Sequence, residues 1–541
     1  MQPTAGAAFN MADYFLYDRL AEGRGDRVAM RTDADAWTYA RAAAESNRFG
    51  NALRELGVAA GDRVLLSLPD VPEFAAGIFG TLRMGGVVAM VNPLLPAEDL
   101  AYYVEYTGCR AMLCDESVAQ KLAPMLPRFM TLKDLVVLGG AARAAGAAGD
   151  RVHAYGALVS GQPPRCEPAP TRAADSAYWL FTSGSTGRPK AVVHRHADFP
   201  WNCERYAKLV VGYRQDDVTL SVPRLFFGYG TGTNLFFPLA VGATTVLFPE
   251  KPTPEALFEK IERHRPTILT SVPTSINAMV SDAEASKRDL SSLRAVLSAG
   301  EALPPELYHR WKKTFGVEIL DGIGSAETFH IYISNAPGDV VPGSLGKLVP
   351  GYEARIAGAD GREVEEGGIG TLWIRGGSVG IEYHGAPEKT RETFVDGWVK
   401  SADLFRRDAG GRFWYCGRVD DLLKVGGIFV SPTEVEDCLL SHPAVAECAV
   451  VAYHEGGLEK PLALVVPRPG HRADAALALE LARHAKSRLA AYKFPRRVRF
   501  VESLPKNDRG KVERKRLRDE VAANGLSGSF DTDVSARGGR P

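Results

Sequence analysis

At 541 residues, 45% hydrophobic and 24% charged, the chain has the balance of a globular protein and is too long for one core, so at least two domains are expected. Lys+Arg and Asp+Glu both number 65, so the formal net charge is zero and no broad basic face for nucleic acid is implied. The seven cysteines (Cys109, Cys114, Cys166, Cys203, Cys416, Cys438, Cys448) are odd in number and form no CxxC pair, which sets aside a disulfide framework or a cysteine zinc site.

Met1 to Phe15 carries neither a basic n-region nor a continuous apolar core, and no apolar run is long enough to span a bilayer. No signal peptide and no membrane partner are expected, and the cytoplasm is the expected compartment. Residues from about 10 to 60 read as largely helical, with a short strand at 27–31. Then a strand at 63–68, a helix at 73–84 and a strand at 87–91 alternate, which is a βαβ signature and implies parallel sheet. Apolar runs at 111–113 and 135–138 add short strands. From Gly139 to about Asp175 the chain is rich in Ala, Gly and Pro and predicts an irregular surface connection.

Tyr178-Trp179-Leu180 ends a strand and leads into Phe181-Thr182-Ser183-Gly184-Ser185-Thr186-Gly187-Arg188-Pro189-Lys190. Glycines let backbone N–H groups turn inward and hydroxyls add donors, which suits a polyphosphate. It is not the GxxxxGK[ST] loop, because Pro189 stands where that motif needs its second glycine. Taken alone, the stretch fits a flexible Gly/Ser loop equally well.

Beyond it, a strand at 243–248 precedes a helix from Pro254 to about His264, with Thr253 as its N-cap. A strand at 267–270 and a helix at 274–280 follow. The strand at 293–297 ends in Ser298-Ala299-Gly300-Glu301, and after a helix at 304–315 the strand at 317–320 ends in Asp321-Gly322-Ile323-Gly324-Ser325-Ala326-Glu327. Polar, glycine-containing segments at the carboxyl ends of successive strands are where open α/β sheets bind ligands. From Gly343 to Arg418 short strands and turns predict a small β-rich subdomain. The charged turn Arg418-Val419-Asp420-Asp421 is the candidate boundary between domains at 1–419 and 420–541. Strands at 447–453, 462–466 and 497–501 and a helix at 473–489 make the second an α+β unit. Its polar loop runs from Leu504 to Lys511, and the Gly/Ser-rich tail after about Asn524 reads as disordered. The expected class is therefore α/β: a large N-terminal domain of α/β sheet subdomains plus a small β-rich one, then a small α+β C-terminal domain.

Six segments occur in one order: 181–190, 298–301, 321–327, 401–403, 417–421 and 505–511. Together they resemble the motif series of the adenylate-forming acyl-CoA synthetases, over roughly residues 30 to 520. Within that family the chain is most similar to benzoate-CoA ligases, through residues 225–230, 321–325, 330–335 and 424–432. The resemblance implies a two-step reaction. A carboxylate attacks the α-phosphate of ATP, giving acyl-adenylate and pyrophosphate, and the thiol of coenzyme A then displaces AMP.

By that resemblance, Thr182, Ser183, Gly184, Ser185, Thr186, Gly187 and Lys190 hold the β/γ-phosphates, and Glu327 holds Mg²⁺. Ser298, Ala299, Gly300, Glu301, Asp321, Gly322, Ile323, Gly324 and Ser325 line the adenine slot, while Asp403 and Arg418 take the ribose. Lys511 reaches the carboxylate and α-phosphate during adenylation, as a mobile point charge. Asp420 is the hinge of a mobile C-terminal domain, whose swing brings Lys424, Gly426 and Gly427 to the pantetheine tunnel. Phe226, Phe227, Gly228, Tyr229, Gly324, His330 and Ile331 surround an aromatic acid. Outside the motif series, Glu327, Asp403, Arg418 and Lys511 read as solvated surface, the aromatics as core packing, and His330 equally as a core histidine.

Three positions depart from the pattern. Ala326 stands where the family commonly has a threonine contacting the α-phosphate, a loss of about 1–3 kcal/mol of stabilisation. Ala191 replaces a glycine. Gly228 replaces the alanine of benzoate ligases, which predicts room for a ring hydroxyl or amino group. Expected partners are ATP, coenzyme A and a small aromatic carboxylate, and a homodimer stays open. A fatty, acetyl-like or cinnamate-type acid, or a catalytically silent nucleotide-binding protein, are the other readings. A carrier-loading adenylation domain is disfavoured, since no carrier domain follows within the sequence.

Overall fold

Aliphatic runs too short for helices pair edge to edge. Arg63–Ser67 lies between Val87–Met90 and Ala111–Asp115, parallel to both. Asp134–Leu138 and Val152–Ala154 extend this first sheet in parallel on one side. On the other, Ser176–Thr182 joins in parallel, and Lys190–Arg195 and Glu382–Tyr383 close the edge antiparallel. The computed structural model describes residues 6–139, 149–182, 188–418, 421, 423–425, 428–455, 458–490, 492–506 and 512–532.

A second sheet of nine strands repeats the pattern. Its parallel centre is Ala295–Ser298, Ile268–Ser271, Val218–Ser221 and Thr244–Val246, flanked by Ile319–Gly324 and Val28–Arg31. Ile331–Ser334 then folds back antiparallel on Ile319–Gly324. A third, five-stranded antiparallel sheet is built on the long strand Trp398–Arg407. One buried cluster includes Leu66 and Val88 of the first sheet, Leu297 and Leu320 of the second, and Ile356 and Leu372 of the third, so the three share a core. The small C-terminal domain has its own core around Val445–Glu455, Leu458–Pro467 and the helix Ala475–Arg488. The α/β class, with a large N-terminal and a small C-terminal domain, is thus as expected.

Two expectations are corrected. The connection from Gly139 to Asp175 is not irregular throughout. Val152–Ala154 is the sheet's last strand and Tyr155–Ser160 a helix, with Tyr155 and Val159 buried in the core. Nor is the tail structureless after Asn524, because Ser529–Asp531 pairs antiparallel with Arg497–Phe500.

Candidate active site

The site is assembled at the carboxyl edge of the second sheet. Ser298 ends its strand and pairs in register with Asp321 of the neighbouring parallel strand, and the Ser298 hydroxyl donates to Asp321 Oδ1 at 2.7 Å. Burial drives the Asp321 carboxyl up to about 8, against the opposing donors of Ser298 and the Gly322 N–H. Asn335 fixes the turn from behind, its amide donating to the carbonyls of Asp321 (3.0 Å) and Ser344 (2.7 Å). Ala299 is buried, and Gly300 takes φ +93°, a conformation that favours glycine. The Glu301 carboxylate accepts from Thr274 N–H (3.0 Å) and Oγ1 (2.8 Å) at the start of the helix Pro273–Val280. Its side chain therefore caps a helix, a role that its motif did not predict.

Gly322 and Gly324 let the chain double back tightly, around Ile323, which is half-buried. A β-carbon at Gly324 would stand 2.5 Å from the His330 carbonyl oxygen, and one at Gly322 2.8 Å from that of Ile333. Ser325, Ala326 and Glu327 are half-buried on the resulting turn. Tyr383, from the first sheet's antiparallel edge, donates its hydroxyl to Glu327 Oε1 at 2.6 Å. Among the described residues Oε2 carries no hydrogen bond. Mg²⁺ is bound through one or two carboxylates together with phosphate oxygens, so a single half-buried carboxylate with one free oxygen fits it.

Asp403 and Arg418 are cross-strand partners in the third sheet, with Arg418 exposed. Burial, and behind it the charges of Asp403 and Glu327, hold the Tyr332 phenol well above its ordinary value. The two expected carboxylates are thus within electrostatic reach of one phenol. Thr182 and Lys190 pair directly across their antiparallel strands, at the ends flanking 183–187.

The aromatic group forms at a second loop. Asp70 accepts from Leu225 N–H at 2.9 Å and faces Arg224 at 3.8 Å, which fixes the chain entering Phe226 and Phe227. Those rings are half-buried, 4.5 Å apart. The rings of Tyr229 and His330 lie 5.3 Å apart, with Tyr206 and Phe237 5.5 and 4.7 Å from His330. His330 Nε2 donates to the Tyr229 carbonyl at 3.2 Å, and burial lowers the imidazole to about 3, so the ring is neutral. Among the described residues, His330 Nδ1 and the Tyr229 hydroxyl are buried without a hydrogen-bond partner. Ile331 is buried in the shared core. Gly228 does not leave the expected room. A β-carbon there would meet the two Leu180 methyls at 3.2 and 3.3 Å, so Leu180 fills that space.

Ser183, Gly184, Ser185, Thr186, Gly187, Asp420, Gly426, Gly427 and Lys511 lie outside the described residues. Lys424 belongs to the strand Leu423–Val425, paired with Ile428–Val430. Sequence reasoning missed Tyr383, Asn335, Asp70, and the pair His194–Asp198 behind Ala326. Tyr383, Asn335, Asp70 and His194 act on Glu327, Asp321, Leu225 and Ala326, each at least 14 positions away, and no local spacing announces those pairings.

Residues 17–384 match the AMP-binding enzyme family, and residues 434–511 match the AMP-binding enzyme C-terminal domain. The benzoate–CoA ligase of Thauera aromatica is 43% identical, over 94% of this chain and 96% of its own. The 4-hydroxybenzoate–CoA/benzoate–CoA ligase of Rhodopseudomonas palustris is 37% identical over 94% of both chains. The solved anthranilate CoA ligase AuaEII, in complex with anthranoyl-AMP, superposes with a TM-score of 0.90 at 36% identity, covering 96% of this chain and 98% of its own. The chain belongs to the AMP-binding enzyme family, as an acid–thiol ligase of the AMP-forming type.

Proposed function

We propose that the chain is an ATP-dependent aryl-CoA ligase. It joins benzoate or a hydroxy- or amino-benzoate to AMP, releasing pyrophosphate, and then passes the aroyl group to the coenzyme A thiol, releasing AMP. The observation that carries this reading is the gathering of Ser298–Asp321, Glu327 and the Tyr229–His330 rings at the 319–334 hairpin.

In this reading the acid lies against Phe226, Phe227, Tyr229 and His330, with Gly324 closing the slot. Ser298 to Glu301 and Asp321 to Ser325 hold the adenine edge, and Asp403 with Arg418 takes the ribose. Thr182 to Gly187 and Lys190 grip the β/γ-phosphates, and Glu327 holds the Mg²⁺. Bound there, the cation would neutralise phosphate charge that repels the incoming carboxylate. Lys511 approaches that carboxylate and the α-phosphate, offering charge to the transition state and none to the second step. A boundary at 419/420, with Asp420 as hinge, lets the C-terminal domain exchange Lys511 for Lys424, Gly426 and Gly427 at one site.

The test is pyrophosphate release with a panel of acids: benzoate, 2-amino-, 3-hydroxy- and 4-hydroxybenzoate, octanoate and acetate. The reading expects release with an aromatic acid only in the presence of ATP and Mg²⁺. Preference for octanoate or acetate would reassign the substrate, and no release with any acid would favour a silent nucleotide-binding protein.

A further inference from the structure

The turn that carries Glu327 is gripped, carbonyl by carbonyl, from outside its own sheet. His194 Nε2 lies 2.7 Å from the Ala326 carbonyl oxygen, the Gly380 N–H donates to the Glu327 carbonyl at 2.8 Å, and the Ser378 hydroxyl donates to the Thr328 carbonyl at 2.8 Å. The next residue, Phe329, takes φ +68° and ψ −56°, a conformation that a residue with a β-carbon holds only when its surroundings impose it. Its ring stacks on Phe199, centroids 3.5 Å apart and 11° from parallel.

Two of these holds have side-chain partners of their own: the Ser378 hydroxyl meets the Tyr352 hydroxyl at 2.5 Å, and His194 is the one oriented by a carboxylate among the described residues. Asp198 Oδ2 stands 3.1 Å from His194 Nδ1 and also accepts the Arg195 N–H at 2.9 Å. Both side chains are buried, at 0% and 1% exposure. A carbonyl oxygen only accepts, so Nε2 carries a hydrogen. Nδ1 faces a carboxylate oxygen, so a further proton lies between the ring and Asp198. The ring is thus a fixed donor in a charge-assisted chain, Asp198 to His194 to the Ala326 carbonyl. His194 also sits on the strand Lys190–Arg195, four residues from Lys190 and on the same side of the pleat. The chain therefore ties the Glu327 turn to the strand that begins at Lys190.

We propose that His194, oriented by Asp198, is a positioning residue for Glu327, setting the placement of that carboxylate relative to Lys190. The inference rests on the reading of Glu327 as the magnesium-holding carboxylate. It concerns the backbone at Ala326, whose side chain offers no hydroxyl to share the task.

Three variants test it: His194→Leu removes the donor at similar volume, His194→Gln places an amide N–H near the position of Nε2, and Glu327→Gln serves as reference. Pyrophosphate release from ATP and benzoate is measured against Mg²⁺ concentration, and thioester formation from added benzoyl-adenylate is measured separately. Nucleotide-free protein labelled at histidine nitrogen is examined by NMR. We expect His194→Leu to slow pyrophosphate release about tenfold and to raise the half-saturating Mg²⁺ about fivefold, with thioester formation within about twofold of wild type. His194→Gln should recover most of both losses. The nucleotide-free protein should show one Nε2–H resonance protected from solvent exchange and absent in His194→Leu. If Glu327→Gln shifts the Mg²⁺ dependence and His194→Leu does not, the positioning role is overturned. Equal loss of both half-reactions in His194→Leu and His194→Gln, or a solvent-exchanging Nε2–H, overturns it too. If Glu327→Gln leaves the Mg²⁺ dependence unchanged, the reading of Glu327 fails first and the inference with it.

Discussion

The Tyr383 hydroxyl donates to Glu327 Oε1 at 2.6 Å, joining residues 56 positions apart. Burial, together with the Glu327 charge, holds this phenol above its ordinary range, so it remains a donor at any working pH. Tyr383→Phe leaves the ring packing and removes the donor. A hydrogen bond to a charged group contributes about 1.5–3 kcal/mol, so kcat/KM for ATP in pyrophosphate release should fall roughly tenfold to a hundredfold. The KM for the aromatic acid should change little, and an unaltered kcat/KM for ATP would show that Glu327 needs no such support.

Lys511→Ala separates the half-reactions. Adenylation should fall by at least about a hundredfold, because the proposed role makes Lys511 the charge offered to the transition state. Thioester formation from added benzoyl-adenylate and coenzyme A should persist. Equal loss in the two assays would remove Lys511 from the role assigned to it.

Ala326→Thr adds to the Glu327 turn the hydroxyl that the resemblance leads one to expect there. The site is half-buried, and its carbonyl is already held by His194. A restored donor at the α-phosphate is expected to raise kcat for pyrophosphate release by roughly tenfold, about 1.4 kcal/mol of transition-state stabilisation. Thermal unfolding should shift little, which would separate a catalytic gain from a general stabilisation.

Two glycines should answer alanine differently. At Gly324 the new β-carbon meets the backbone carbonyl of His330 at 2.5 Å, where nothing flexible can yield. Overpacking of this kind costs about 1–3 kcal/mol, and denaturant unfolding should register it. At Gly228 the nearest atoms are the Leu180 methyls at 3.2 and 3.3 Å, which can turn aside. Gly228→Ala should stay within about 0.5 kcal/mol of wild type.

Asp321 gives the fold a pH dependence of defined sign. Its carboxyl is raised from 3.8 to about 8 in the folded protein, so between those values the folded state keeps a proton that the unfolded chain has released. Stability then falls as pH rises from about 4 towards 8, and levels off above. Asp321→Asn keeps an oxygen for the Ser298 hydroxyl and cannot ionise. Denaturant titrations at pH 5 and pH 8 should show a smaller loss in the variant than in wild type, and equal losses would mean that Asp321 does not titrate in this range.

Local signals were readable where the physics is local. Thr253 accepts from the Ala256 N–H and Pro254 opens the helix, which runs to His264 as its cap and period predict. Motif order led to Glu327, Asp403 and Asp321, but not to what holds them. Tyr383, Asn335 and His194 act through pairings 56, 14 and 132 positions long, set by which sheet edges meet. Val152–Ala154 was hidden because three residues on a sheet edge carry too little alternation to stand out from an Ala- and Gly-rich stretch. The Gly228 expectation failed because an absent methyl says nothing about which neighbour moves in, and here Leu180 did.

The strand Ser529–Asp531 bears on how this protein can be handled. It covers Arg497–Phe500, which would otherwise present its unpaired N–H and C=O groups as the open margin of the C-terminal sheet. Phe530 also packs its ring against Phe500, 5.9 Å between centroids. Trimming the chain back to Asn524, as composition alone would invite, would strip that margin bare and leave an adhesive edge on the domain that bears Lys511. A purification tag placed beyond Thr532 would leave the cover in place.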